Sequence, residues 1–321
     1  MNNALHDVCH KLGVVPRETP PDSKWNRADV VGKAPGNSDA SIMRFADNTG
    51  GVVCNWTLAD ADQCVTYFDD SEVKLNPAEK AERNRRAIEE GSKAAKAREA
   101  EQSACREWCQ TEWTKAVGAT PEHPYLSRKG IKAHGARLYK GCLMVPVKSM
   151  GGTIRGMQFI SEDGTKRFKT GTDKKGCFYP IGTGKSRIVV ICEGFATGAS
   201  IHEATGYDVV VAFDAGNLTE VTTAFNFEEM ESRVQRPQKT FIVAGDNDAW
   251  VTVRHTDGTV TYRPAEPHEN TGIVKGTAAS EIMNTPFVYP VFRDVSTRPT
   301  DFNDLHKLEG ISGLCRGGAV F

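Results

Sequence analysis

The sequence predicts an α/β fold built on a mostly parallel sheet, and three observations carry that prediction. Apolar runs at Ile188 to Cys192, Val209 to Phe213 and Phe241 to Ala244, with a looser one at Phe287 to Phe292, lack polar alternation, as strands buried on both faces do. Helix candidates lie between them: Ala196 to Ala204, closed by Gly206, and Leu218 to Arg233, closed by Pro237. Two of the runs end on carboxylates, the first on Glu193-Gly194 and the third on Gly245-Asp246-Asn247-Asp248. The alternation reads β-α-β-α-β. In open sheets of this kind ligands bind at the carboxyl ends of strands.

The elements before this core follow in order. Residues 15 to 40 are rich in Pro, Gly, Asn, Asp and Ser and read as loop. Residues 42 to 70 supply Phe45, Val52, Val53, Trp56, Val65, Tyr67 and Phe68, enough for a small β unit, and Ile42 to Trp56 reads as a hairpin around Asp47-Asn-Thr-Gly-Gly51. From Pro77 to about Ala116 the chain is rich in Ala, Glu, Lys and Arg and reads as a long helix. Its thin apolar stripe, Trp108, Trp113 and Val117, comes late, so the helix reads as a bridge between the β unit and the core. Pro121 and Pro124 close it. The predicted organisation is a β-rich module over 1–75, a helical linker over 76–119, a small mixed α+β subdomain over 120–185, the parallel-sheet domain over 186–308 and a tail over 309–321.

With 321 residues the chain accommodates one large or two modest domains plus accessories. Forty Lys and Arg against 41 Asp and Glu leave a net charge of −1, so any electrostatic footprint for nucleic acid is local. The local candidate is Lys166 to Lys175, where Lys166, Arg167, Lys169, Lys174 and Lys175 face only Asp173 and are interleaved with Phe168. Basic side chains there, with Arg155 upstream, suit phosphates, and an aromatic suits a base. The polar stretch from Ala249 to Gly276 reads as an insertion beside Asp248, with His255, His268 and Lys275 as candidates for phosphate contact.

Glu193, Asp246 and Asp248 could not share a cleft as anions without a compensating charge. Hard oxygen ligands select Mg²⁺ or Mn²⁺, which stabilises the attacking and leaving oxygens of phosphoryl transfer. An Asp-x-Asp after a strand is by itself only a solvated turn. The matching Glu-Gly after an earlier strand of the same series makes it a site.

This pairing resembles the Toprim domain of primases, topoisomerases and some nucleases. The likeness to primases extends further, through Gly141-Cys-Leu-Met-Val-Pro-Val147, Gly151 to Phe159 and Lys166-Arg-Phe-Lys-Thr-Gly171 upstream, and Asn270-Thr-Gly272, Ala278-Ala279 and Thr300-Asp-Phe-Asn-Asp-Leu305 downstream. Pro124-Tyr-Leu-Ser-Arg-Lys-Gly-Ile131 resembles a stretch shared by phage and plasmid primases. The resemblance covers roughly residues 120 to 308. It implies Glu193 as metal ligand or general acid/base, Asp246 and Asp248 as metal ligands, and Asp301 and Asp304 as a later acidic element. Arg167 and Lys169 fall where primases hold template and nucleotide, and Gly194 would permit close backbone approach.

The resemblance implies a mobile-element DNA primase that joins nucleoside triphosphates on a single-stranded DNA template. A Toprim nuclease sharing the same metals is the alternative, and a silent nucleic-acid-binding accessory is the reading from another class. Gly182-Thr-Gly-Lys-Ser186 has too short a loop for a Walker sequence, so a helicase is expected from a partner. Cys54 and Cys64, far apart, and the adjacent Cys9-His10 do not make two close ligand pairs, so no zinc is expected. The nine cysteines form no disulfide framework, and most are expected reduced. No run approaches the roughly 20 apolar residues of a membrane span, and a cytoplasmic protein with no membrane partner is expected.

Overall fold

Period-two patterning decides which face each strand presents, and in this chain it sorts the apolar residues into separate cores. The computed structural model describes residues 3–33, 35–58, 63–69, 77–232, 238–255 and 258–314. The chain divides into two units, Met1–Ala87 with Val251–Arg263, and Ile88–Trp250 with Pro264–Phe321.

In the first unit α1 (Asn3–Lys11) precedes a four-stranded antiparallel sheet of β1 (Asn26–Ala28), β2 (Ala40–Arg44), β3 (Gly50–Asn55) and β4 (Cys64–Phe68). Leu5, Cys9 and Leu12 of the helix segment pack with Ile42, Val53 and Tyr67. The expected Ile42–Trp56 hairpin is β2 and β3, turning through Asn48 with a left-handed backbone. Cys54 and Cys64 stand directly opposite each other in the β3–β4 register and form a disulfide. That corrects the expectation of no disulfide framework, because sequence spacing says nothing of cross-strand register; Cys9, Cys105, Cys109, Cys142, Cys177 and Cys192 are free.

The helix α2 (Pro77–Lys115) crosses the unit boundary, and its last turns do more than bridge. In the second unit β5 (Val117–Gly118), α3 (Pro124–Lys129), β6 (Arg137–Tyr139), β7 (Cys142–Lys148), β8 (Ile154–Ile160) and β9 (Lys166–Phe168) follow, the five strands forming one antiparallel sheet in chain order. Cys105 and Cys109 of α2 bury against Met144 and Met157, with Trp108 packed alongside. Leu143, Val145 and Val147, one residue out of phase with Met144, face the main core instead.

Next come β10 (Tyr179–Ile181), β11 (Ile188–Cys192), α4 (Phe195–Thr205), β12 (Asp208–Val211), α5 (Ala215–Ser232) and β13 (Thr240–Ala244). The hairpin β14 (Trp250–Arg254) and β15 (Val260–Pro264) follows, then α6 (Thr271–Met283), β16 (Phe287–Val288), α7 (Phe302–Glu309) and α8 (Ile311–Leu314). The second sheet has the order β10-β12-β11-β13-β16, with β11, β12, β13 and β16 parallel and β10 antiparallel at its edge. Val190, Cys192, Val209 and Val211 face α4 and α7, through Ala196, Ala199, Phe302 and Leu305. Val189, Ile191, Val210 and Val243 face α5 and α6, through Leu218, Val221 and Ala279. The α/β fold with a parallel sheet is as the sequence predicts. The last strand is shorter than Phe287 to Phe292, because Pro290 cannot continue a ladder.

Helix α4 lies close on the sheet because Gly198 lacks a side chain: a Cβ there would stand 2.9 Å from Val211 Cγ2 and 3.1 Å from Cys192 Sγ. The loop Gly182 to Ser186, which fails as a Walker sequence, is tied down by Asp208, whose carboxylate accepts from Gly184 N at 3.0 Å and Ser186 N at 2.9 Å. Among the described residues no helix is long and apolar enough to cross a membrane.

Candidate active site

Strand β11 has β12 on one side and β13 on the other, so the order reverses between β11 and β13, where open α/β sheets leave a crevice at the strand ends. Paired register carries both strands to the same level, Cys192 opposite Ala244, and the chain leaves the first directly on Glu193 and the second, past Gly245, on Asp246. Glu193 and Asp246 are thereby brought together: Asp246 N donates to Glu193 Oε1 at 3.3 Å.

The loop carrying Asp246 is held on several sides. Asn247 N donates to Thr300 O at 2.7 Å, and Asn247 Nδ2 to Pro290 O at 3.1 Å. Asn270, the N-cap of α6, accepts from Asp248 N at 3.0 Å and donates to Asn247 Oδ1 at 2.9 Å. Asp248 in turn accepts from Gly272 N at 3.1 Å. Within this frame Asp246 Oδ1 is buried and has no hydrogen-bond partner among the described residues.

Burial, with the neighbouring carboxylates added, pushes the Asp246 carboxyl up to about 9. Burial also pushes Glu193 up to about 7, with Asp248 and Asp214 raising it and the Asp246 N–H opposing. Asp301 is raised as well, first by burial and then by Asp304. Lys166 acts on all three in the opposite sense without cancelling the burden. Groups placed so are short of positive charge.

A cavity of about 470 Å³ opens over these groups, lined by Glu193, Gly194, Asp246, Asp301 and Lys166, with Tyr125, Arg128, Lys129, Asp163, Phe213 and Asp214 among the rest. Five of the predicted residues thus share one cavity. Asp248 is not among the lining residues, and its carboxylate is taken up by Gly272 N in the first turn of α6. Asp304 has a different duty, since it accepts from Thr300 N at 3.1 Å and pairs with Lys129 at 3.7 Å while its own N–H donates to Asp301 at 2.7 Å, a reciprocal cap on α7.

The basic candidates scatter. Lys174 pairs with Asp214, Lys175 with Glu220 at 3.0 Å, and Arg155 with Asp173 at 3.9 Å. The Lys169 ammonium sits over the Trp108 ring at 5.3 Å, and Arg167 is exposed on β9. Lys275 lies on α6 and does not line the cavity, while His255 follows β14 and bonds Thr261 at 2.7 Å. Gly194 is the N-cap of α4, and a Cβ there would meet Thr197 and Lys166 at 3.5 and 3.7 Å. Those are ordinary contacts, so close backbone packing does not require the glycine.

Sequence reasoning missed Asp214, which lies in the turn between β12 and α5 and lines the cavity, and it missed Phe213. Phe213 is buried with φ 77°, a backbone that bulky residues rarely adopt. Its ring meets the Phe168 ring edge-on at 5.7 Å. A non-glycine residue strained beside a cavity is a mark of a functional site, but a sequence does not display φ.

Among the described residues no three His, Cys, Asp or Glu side chains close around a single point as a ready-made metal cage. The donor set still fits a hard divalent ion, because Mg²⁺ is typically held by one or two carboxylates with water and substrate phosphates completing its shell. The unpartnered Asp246 oxygen and the raised Glu193 are the two oxygens in position to hold it.

Residues 188–312 match the family model described as Toprim domain. A protein named DNA primase TraC from Escherichia coli is 30% identical over 295 residues, which are 87% of this chain and 18% of that protein. A second protein of that name and organism is 31% identical over 230 residues, 68% of this chain and 19% of its own length. The chain therefore spans less than a fifth of either relative. The solved primase fragment of the bacteriophage T7 primase-helicase protein is 17% identical, with 59% of this chain and 71% of that one covered, at a TM-score of 0.39. A likeness that low carries no argument.

Proposed function

We propose, for a chain that belongs to the Toprim primases of mobile elements, that it synthesises short primers on single-stranded DNA by metal-dependent nucleotidyl transfer. The observation that carries this reading is the pair of buried, charge-starved carboxylates, Glu193 and Asp246, facing a cavity that also holds cations.

Glu193 and Asp246 would hold Mg²⁺ or Mn²⁺, with Asp301 lining the same cavity and Asp248 fixing the Asp246 loop through Gly272 N. When bound, the ion supplies charge for the triphosphate and the departing pyrophosphate. The chain's own residues do the rest. The Glu193 carboxylate, which lines the cavity, would accept the proton of the attacking 3′-hydroxyl, a positioned-base effect of roughly 10²–10⁴-fold. The hydroxyl oxygen bonds to the α-phosphorus as its bond to the pyrophosphate oxygen breaks. Lys166 compensates the negative charge of the phosphates, and the exposed edge of Phe168 suits a base. Most of the rate would come from in-line placement and fixed charge. A separate replicative helicase would be the partner that exposes the single-stranded template.

Single-stranded DNA incubated with Mg²⁺ or Mn²⁺ and labelled nucleoside triphosphates tests the proposal. The expected result is short labelled oligomers from the wild type and none from Glu193→Ala or Asp246→Ala. Shortening of the DNA without nucleotides would instead identify a Toprim nuclease, and DNA binding with no turnover an accessory protein.

A further inference from the structure

The Pro124-Tyr-Leu-Ser-Arg-Lys-Gly-Ile131 stretch has so far been only a mark of kinship, yet it forms a wall of the cavity. Its residues make α3, a short helix fixed from several directions. His123 caps it, accepting from Tyr125 N at 3.3 Å while its other ring nitrogen bonds Gly141 O at 3.0 Å. Asn303 of α7 donates to Lys129 O at 2.8 Å and to Ser200 Oγ of α4 at 3.0 Å, pinning the far end of α3 to both helices.

So held, α3 turns Tyr125, Arg128 and Lys129 to the cavity that Glu193, Asp246 and Asp301 line. Lys129 is paired with Asp304. Arg128 makes no hydrogen bond or ion pair with a described residue, although its charge acts on the Asp163 carboxylate, and it reaches over the Tyr125 ring, 5.9 Å from its centroid. Tyr125 is 2% exposed, and its hydroxyl is buried without a hydrogen-bond partner among the described residues. Asp301 and Arg128 are the charges that act on that hydroxyl. Buried hydroxyls are ordinarily bonded, and an orphan asks for a partner from outside the chain.

We propose that Arg128 and the Tyr125 hydroxyl, with Lys166 of the same cavity, bind the triphosphate of the incoming nucleotide. This rests on the nucleotidyl-transfer reading and names the part of that site that holds the substrate's phosphates. A cation that stays unpaired beside a row of carboxylates is available to an anion from solution. An anion can enter among carboxylates only when it carries its own divalent ion, as a triphosphate does and a template phosphate need not. Guanidinium is the group that grips phosphate oxygens two at a time. The volume of the cavity is that of a small-molecule site, not of an open strand-binding groove.

The test measures calorimetric binding of inorganic tripolyphosphate and of a non-hydrolysable nucleoside triphosphate, each with Mg²⁺, to the full chain. Arg128→Gln should weaken both by about tenfold to a hundredfold, the span for a charge-assisted hydrogen bond, and Arg128→Lys should recover part of the loss. Tyr125→Phe should weaken both several-fold with an unchanged melting temperature, because the hydroxyl holds nothing else in the fold. Affinity for a short single-stranded DNA should be the same in all variants. Unchanged tripolyphosphate binding in Arg128→Gln, or a loss confined to DNA, would overturn the assignment. So would a Tyr125→Phe loss that tracks a fall in melting temperature. If no primers are made yet the variants still order this way in tripolyphosphate binding, the primase reading fails and the phosphate wall stands.

Discussion

Asp246 is buried among other carboxylates with one oxygen unpartnered, so in the absence of metal it works against folding. Asp246→Asn keeps the shape and removes the charge. In chelator it is expected to raise stability by about 0.5–2 kcal/mol, the usual gain when a functional residue's burden is lifted. A denaturant titration with excess EDTA measures this, and a destabilised variant would mean that the Asp246 charge is compensated. Added Mg²⁺ should stabilise the wild type through binding linkage and leave the variant nearly unmoved. Glu193 and Asp246 were legible because an apolar run that stops on an acid is visible in one line of sequence. Asp214 was not, since Asp-Ala-Gly-Asn before an apolar helix also reads as a helix start, and the structure has it serve there too, accepting from Asn217 N at 3.1 Å. Tyr125 and Arg128 were in view as a motif but had no chemistry attached, because nothing local says which way so short a helix faces.

At the scale of elements, the site depends on how closely α6 approaches the loop after β13. A Cβ on Gly272 would stand 2.2 Å from Asp246 O, a backbone atom with nowhere to go. Gly272→Ala should therefore displace the Asp246 loop, cost about 1–3 kcal/mol as overpacking does, and abolish metal-dependent stabilisation. Thermal melts with and without Mg²⁺ would detect it, and a normal Mg²⁺ response would refute the coupling. The loop between α3 and β6 is fastened differently. His134 Nε2 meets Glu203 Oε1 of α4 at 2.6 Å, and the same oxygen accepts from Lys132 N at 2.8 Å. Burial lowers the His134 pKa from its ordinary value of 6.5, with His202 and Lys132 adding to that and Glu203 opposing. The unfolded chain then takes up this proton at higher pH than the folded one. The contribution is fully present above about pH 6.5 and is lost as pH falls through the lowered value. Urea midpoints should fall from about pH 7.5 to about pH 5.5, and His134→Gln should flatten that slope. Helix–strand alternation was readable for these elements because each apolar run is long. The fastening between them was not, because it joins residues as distant as 132 and 203.

Over the whole molecule, the sequence reading cuts the chain into consecutive pieces at residues 75, 119, 185 and 308, and chain order is all that a composition shift can follow. The compact units are not consecutive: Val251–Arg263, inserted between Asp248 and α6, belongs with Met1–Ala87. Each unit has its own apolar core, around Ile42, Val53 and Tyr67 in one and around the parallel sheet in the other. Separate cores favour separate cooperative transitions, which makes a single unfolding free energy ill defined for such a chain. Calorimetry should resolve two transitions. The Cys54–Cys64 crosslink closes a short loop within the first unit alone, so its loss should remove about 2–3 kcal/mol from that unit only. A reducing agent, or Cys54→Ser with Cys64→Ser, should lower one transition and leave the other, together with the Mg²⁺ response carried by Glu193 and Asp246, where it was. If both transitions moved together, the units would be folding as one.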